Sequence, residues 1–548
     1  MSSYDPALLY RRATPQQAEF LSRTLQLGLD FIEGQVRDGK VVKYLPEEEL
    51  RRKLACDLPQ TGLSLDEVLH ELEENVVRYS IAQGDIRYLA FPDTGNAVAG
   101  VAADILSAFL NQNLIAFDRS APSGTFVEME LIQWLRQLAG YRYVPIDVPE
   151  LTLADLGGVW TSGGNMSNHV AVLVALHVRF PEIKKNGLRG LKKKPVIVLA
   201  KGIEHFSFSS AALSLGLGQD SLVWADSNPD YTTNPNALRA AIEQMDPECE
   251  PFMVVSVAGN CRTTGIDDIS AIRALCDEFG LWLHVDACHG GNLLFSNRLR
   301  HRLRGIELAE SVSLDPHKGL FVGYPCSYVL FKEPHTLDFI CRYPEKFQSP
   351  TCLDIGLIMP FYGSRGFHSL KLWLLIKQLG TEGIGALIER RQELNDRLVK
   401  RLAKSGWFVL LNDGDYYRTA FVFLPNRVAD LAKRNGLMQQ NPDFLAQLVN
   451  CYTKRFSDAL YESGEVVFDA FSLNDLSDRL GLGQDRKYTA MAMAVGHPDM
   501  DKTDEDAIFA AMDRFAAPIA DDMERELLLQ SNGDVMEAAQ FSKGPAGW

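Results

Sequence analysis

The sequence predicts an α/β protein: a mainly parallel seven-stranded sheet flanked by helices, with an N-terminal helical segment and a small C-terminal α+β domain. Three observations carry this prediction. From about residue 155, seven short apolar runs rich in β-branched and aromatic residues alternate with helical stretches. The chain before them shows only helical spacing, and the chain after them mixes strand-like and helix-like runs.

The elements come in order. Apolar residues recur at helical spacing through "AEFLSRTLQLGLDFIEGQV" and "LDEVLHELEENVVRYS". The stretch "QGDIRYLAFPDTGN" breaks the pattern with Gly and Pro, and the helices "AVAGVAADILSAFLNQN" and "TFVEMELIQWLRQLAG" come next. The seven strand candidates are "GGVWTSGG", "PVIVLA", "SLVWA", "FMVVSVAG", "LWLHVDA", "SVSLDP" and "SYVLFK", with helices such as "NHVAVLVALHVRF" and "DISAIRALCDEFG" between them. A long helix from Phe367 to Gly406, interrupted at its glycines, leads to the last domain. The expected divisions are 1–90 for the helical segment, 91–380 for the large domain, 381–525 for the small domain and 526–548 for a loose polar tail.

The chain has 548 residues, a net charge of -16 and 46% hydrophobic residues, which suits a globular protein with a sizeable core. The acidic balance argues against nucleic acid or an anionic membrane surface as a partner. The run "KKNGLRGLKKK" reads as a solvated loop. Nine scattered cysteines with no C-x-x-C pair point to reduced thiols and a cytoplasmic setting. The first seventeen residues lack an apolar core, so no signal peptide is expected there, and no run is long and apolar enough to span a membrane.

Ligands of parallel sheets bind beyond the carboxyl ends of the strands, and four such ends stand out. "TSGGNMSNHV" passes from a strand through Gly163 and Gly164 into a helix, an arrangement that can seat an anion on first-turn amides, with Ser162, Asn165, Met166 and Ser167 as donors; it is equally an ordinary cap. His205 comes after "PVIVLA" and could stack on a flat ligand. In "LWLHVDACHGG", His284 and Asp286 share one face, which suits either a metal site with His289 or a carboxylate facing a protonated ring nitrogen. Lys318 in "SVSLDPHKG" is either a loop lysine or a Schiff-base amine.

Together these parts would serve pyridoxal phosphate. In order and context the chain resembles the group II pyridoxal-phosphate-dependent decarboxylases, relatives of the aromatic-amino-acid, glutamate and histidine decarboxylases, from about residue 80 to 385. "SGGNMSN" is similar to that family's phosphate segment, "EHFS" to its stacking-histidine motif, "HVDACHGG" to its H-V-D-A-x-x-G-G, and "DPHKG" to its N/D-P-H-K. The resemblance implies fold type I and a homodimer with the active site at the subunit boundary. It implies decarboxylation of an L-amino acid to an amine and carbon dioxide through an external aldimine, with Lys318, Asp286 and His205 catalytic. Gly164, Asn165, Met166, Ser167, Cys261, Asp267, Cys288 and His317 would complete the cofactor site, and His284 and His289 would be structural with no metal bound.

Departures from the pattern are informative. Cys261 and Arg262 interrupt a Thr-rich run, Cys288 stands at a usual alanine, and "AVGHPDMD" lacks the usual Asn-Pro. Tyr343 is the only tyrosine in "EPHTLDFICRYPEKFQSPTC", where relatives carry a proton-donating tyrosine. "LAFPDTGN" resembles the substrate-pocket segment, making Phe91 and Asp93 candidate substrate contacts. Asp93 would disfavour acidic side chains and favour cationic ones, or else simply cap the following helix. The competing readings are a carbon–carbon lyase or aldehyde synthase on the same fold, and a metal-dependent hydrolase built on His284, Asp286 and His289.

Overall fold

A computed structural model describes residues 14–95, 97–484 and 486–531. Its strands are β1 (Tyr88–Leu89), β2 (Gly158–Thr161), β3 (Lys194–Ala200), β4 (Leu222–Ala225), β5 (Cys249–Val257), β6 (Trp282–Asp286), β7 (Ser311–Leu314), β8 (Ser327–Phe331), β9 (Phe408–Leu410), β10 (Arg418–Phe423), β11 (Val467–Asn474) and β12 (Lys487–Ala494). Seven of them form one sheet in the order β2-β8-β7-β6-β5-β3-β4. All its neighbours run parallel except β8, which is antiparallel to both β2 and β7. Strands β6, β7 and β8 are buried at every position, as a sheet covered on both faces requires.

Two apolar clusters fill the two faces. One joins Ile272, Leu275, Leu283, Val285 and Val312 to the helix Pro122–Leu138 through Leu131 and Leu135. The other joins Val255 and Val257 to the helix Gly164–Arg179, whose Val170–Leu176 stretch is wholly buried. That helix is apolar nearly all round because it lies inside the molecule. Strands end and helices begin at the edge where β2, β3, β6 and β7 finish, which gathers the residues after them in one place.

The long helix spans Leu370–Lys404 and breaks at Gly380, whose φ of 63° and ψ of 176° leave the helical region in a conformation that L side chains rarely adopt. Beyond the break, Leu394, Leu398 and Leu402 enter a separate core with Phe408, Phe421, Phe423 and Phe456. This core is covered by the second sheet, in the order β1-β11-β12-β10-β9. Strand β1 was not expected. It is only two residues long and gains its place by parallel pairing of Tyr88 with Val467 and Leu89 with Phe468, a contact no local pattern encodes. The last helix, Lys502–Ser531, runs past the expected start of the tail, and 532–548 lie outside the described residues.

Candidate active site

Each strand end contributes one part of a single cavity, lined by Gly164, His205, Cys261, Asp286, Cys288 and Lys318 together with Ile203, Val257, Gly259, Asn260 and His289. Lys318 sits on the short turn of helix Pro316–Gly319 just past β7. Its Nζ lies 2.8 Å from Oδ2 of the fully buried Asp315. Burial works against the ammonium, but Asp315 outweighs it and holds the amine well above the ordinary lysine range. Burial likewise opposes the Asp315 carboxylate, and Lys318 and His317 overcome it to hold the group below its usual value.

Asp286 ends β6 and is buried. Its Oδ1 accepts from the Cys288 amide at 3.1 Å, and its Oδ2 accepts from Asn168 Nδ2 at 2.8 Å. His205 accepts the Ser207 amide on Nδ1 at 3.2 Å, which leaves the proton of the neutral ring on Nε2. Burial, aided by the Lys318 charge, lowers its pKa and favours that neutral ring. The Cys288 thiol is buried, and burial with Asp286 and Asp315 nearby pushes it far up, so it stays protonated and acts as a packed wall. His289 is held well below its usual value by burial, then by the Lys318 charge, and pairs through Nδ1 with the Tyr417 hydroxyl.

The turn before helix Gly164–Arg179 comes very close to the cavity floor. A Cβ on Gly164 would stand 2.5 Å from Cys288 Sγ and 2.6 Å from Asp315 Oδ2, so only glycine fits. The first amides of a helix have no intrahelical partner and suit an anion. An amine, a buried carboxylate braced from behind, and a glycine turn at a helix start fit pyridoxal phosphate. Asp315 is the group at odds with a phosphate at this turn; Lys318, at 2.8 Å, offsets its charge.

Other expected site residues fall outside the cavity lining. Ser167 turns its hydroxyl to Thr161 Oγ1 at 2.6 Å, while Asn165 is exposed and Met166 half-buried. His317 bonds the Cys326 carbonyl at 2.8 Å through Nδ1, and its ring centre lies 4.1 Å from that of Tyr324. Asp267 is committed to the chain itself: its carboxylate accepts from the Thr233 and Val257 amides at 2.7 and 2.6 Å and from Ser256 Oγ at 3.1 Å. It clamps the end of β5 rather than lining the cavity. Tyr343 caps helix Pro344–Phe347 between Arg342 and Lys346 and does not line this chain's cavity. Phe91 is exposed, with the Arg418 guanidinium 5.8 Å from its ring centre.

Two expectations are settled against one of their alternatives. Asp93 is not the helix cap, because helix Val98–Leu110 starts from Ala97 with no side-chain cap. Burial raises its carboxyl, with Lys318 and His317 opposing, and its Oδ1 has no hydrogen-bond partner among the described residues. The hydrolase reading also lacks its ligand set: both His284 nitrogens are engaged by Ser311 and Asn168, and no group of three His, Cys, Asp or Glu among the described residues could hold a metal. Sequence reasoning missed Asn168, which stands in the quoted "SGGNMSN" but reveals its partners only on folding, and Asp315, visible in "DPHKG" as an acid beside the lysine.

The fold and this cavity define a fold type I pyridoxal-phosphate enzyme. The pyridoxal-dependent decarboxylase conserved domain matches residues 46–423, and the chain belongs to that family. It is 30% identical over 416 residues to human cysteine sulfinic acid decarboxylase, covering 75% of this chain and 80% of the relative. It is 29% identical over 418 residues to the mouse acidic amino acid decarboxylase GADL1, covering 75% and 72% of the two chains. The crystal structure of mouse CSAD superposes with a TM-score of 0.80 at 25% identity, covering 92% of this chain and 99% of that one. The protein is therefore a pyridoxal-phosphate-dependent amino-acid decarboxylase, a lyase.

Proposed function

We propose that the decarboxylation runs on Lys318, with Asp286 facing the cofactor's ring nitrogen, His205 and Cys288 as walls beside the ring, and the Gly164 turn under the phosphate. The observation that carries this reading is the convergence of amine, braced carboxylate and glycine turn on one cavity. When bound, the cofactor supplies an electron sink for the pair left on the α-carbon as carbon dioxide departs. Lys318 Nζ would hold the cofactor through its aldehyde. Asp286 keeps a proton on the ring nitrogen through a charge-assisted hydrogen bond. Lys318 and His205, which holds its proton on Nε2, line the cavity and would serve there as proton carriers.

The substrate reading turns on Asp93. A buried carboxyl with one oxygen unpartnered among the described residues, close enough to Lys318 to feel its charge, disfavours a second carboxylate and favours a side chain offering a donor or a cation. The second reading is an acidic amino acid, favoured by the names of two relatives, cysteine sulfinic acid decarboxylase and acidic amino acid decarboxylase. Mass spectrometry of amines formed from a panel of acidic, aromatic and basic amino acids separates them. Products from the basic or aromatic members, with Asp93→Ser shifting preference toward glutamate, are expected. Activity confined to glutamate, aspartate or cysteine sulfinate would sink the Asp93 reading.

We also infer a cytoplasmic homodimer. Helix Val98–Leu110 exposes Val98, Val101, Ile105, Leu106, Phe109 and Leu110, an apolar face too extensive for a lone chain. Light scattering of the purified protein is expected to give twice the 61.1 kDa chain mass, and a monomer would remove this part.

A further inference from the structure

We propose that Asn168 is a positioning residue for Asp286, held in its working orientation by a one-way donor chain from Trp282. This deepens the reading above and rests on it. The chain is fully buried in its middle and uses side chains of four separate elements: β6, β7, and the helices Gly164–Arg179 and Ser207–Ser214.

Its direction comes from the chemistry of its ends. Trp282 Nε1 carries a hydrogen and can only donate, and it does so to Ser311 Oγ at 2.8 Å. Ser311 then passes its own hydrogen to His284 Nδ1 at 2.9 Å. The tautomer is set from the other end: Asn168 turns Nδ2 to the Asp286 carboxylate, so its Oδ1 faces His284 Nε2, which must carry the proton of the neutral ring and donate at 3.0 Å, leaving Nδ1 to accept from Ser311. Burial holds this imidazole to a pKa of about 4, in keeping with the neutral form. Ser313 Oγ, at 3.4 Å, is a weaker second acceptor for the same hydrogen. With its oxygen engaged, Asn168 points both amide hydrogens the other way, to Ser207 Oγ and Asp286 Oδ2, each at 2.8 Å. Turned over, the amide would set its oxygen against the Asp286 carboxylate and its hydrogens against the His284 N–H.

At the far end the chain does for the carboxylate what a solvent shell would do. A donor at Oδ2, with the Cys288 amide at Oδ1, fixes the plane of the carboxylate. Buried networks of this kind are strong when every member is satisfied, and every member here is. The function assigned to Asn168 is thus to keep Asp286 aimed, so that its carboxylate would meet the proton on the cofactor nitrogen. His284, which with Asp286 suggests a metal pair in sequence, acts as the fixed-tautomer link.

The test uses full-length holoenzyme reconstituted with cofactor 15N-labelled at the ring nitrogen. Asn168→Leu, close to isosteric, removes both links, and Ser311→Ala removes only the connection to Trp282. Asn168→Leu is expected to move the ring 15N shift toward the unprotonated value and to lower kcat by about 10- to 100-fold with KM little changed, the scale typical of orienting partners. Ser311→Ala is expected to move both in the same direction by less. A wild-type 15N shift in cofactor-loaded Asn168→Leu overturns the proposal. Should that variant fail to fold, a wild-type shift and rate in Ser311→Ala overturns it instead. Borohydride labelling of the same samples separates the two levels: no label on Lys318 refutes the site reading, whereas label with an unmoved 15N shift refutes only the role of Asn168.

Discussion

Replacing Lys318 by arginine is expected to lower carbon dioxide release by on the order of 10⁴-fold or more, the scale seen when the nucleophile of a catalytic unit is removed. Arginine is the informative choice because Lys318 has two jobs in this structure. It is the only amine lining the cavity among the described residues, and it is the cation 2.8 Å from the buried Asp315. Alanine would remove both, and leaving a buried carboxylate unpaired costs about 3–5 kcal/mol. The guanidinium keeps the charge but cannot condense with an aldehyde. Lys318→Arg should therefore fold, retain thermal stability better than Lys318→Ala, and show no pyridoxyl-modified peptide after borohydride treatment. The wild type should carry that modification on Lys318, read by mass spectrometry of the digested protein. A labelled wild-type peptide that lacks Lys318, or an arginine variant with a tenth of normal activity, contradicts the assignment.

The positions of His205, Asp286 and Lys318 are legible in sequence because each closes or succeeds a short apolar strand, and a parallel sheet gathers the carboxyl ends of its strands at one edge. The same logic locates Gly164 at a strand-to-helix turn. Where a polar side chain finds its partner is not encoded locally. Asp267 sits a few residues past β5 and looks like a ligand, yet Thr233, brought in from a distant loop, takes up its carboxylate. His284 and His289 look alike in "HVDACHGG", but one is sealed by Ser311 and Asn168 while the other lines the cavity. Asp93 resembles a cap until the helix is seen to begin at Val98. Strand β1 depends on a partner far along the chain, at Val467. In each case the deciding contact is long-range, and local periodicity is blind to it.

Asp286→Asn is expected to reduce kcat by about 10²- to 10⁴-fold, the range for removing a preorganised charge from a buried site. The substitution is nearly isosteric, so loss of packing does not account for the effect. It removes the negative charge proposed to keep a proton on the ring nitrogen, and it sets a second amide beside Asn168. Both carboxylate oxygens accept, from Asn168 and from the Cys288 amide, so the new N–H2 opposes a donor whichever way the amide turns. Without a carboxylate there, the proton on the ring nitrogen would lose its counter-charge, and an unprotonated ring would be a weaker electron sink. The proposed substrate contacts, Asp93 and Phe91, belong to a different segment from the one that holds the ring nitrogen, so KM should move much less than kcat. Steady-state kinetics with the 15N shift of the bound cofactor distinguish this from a folding defect. A variant that keeps the protonated shift and a tenth of the wild-type kcat would show that the carboxylate is not what tunes the ring.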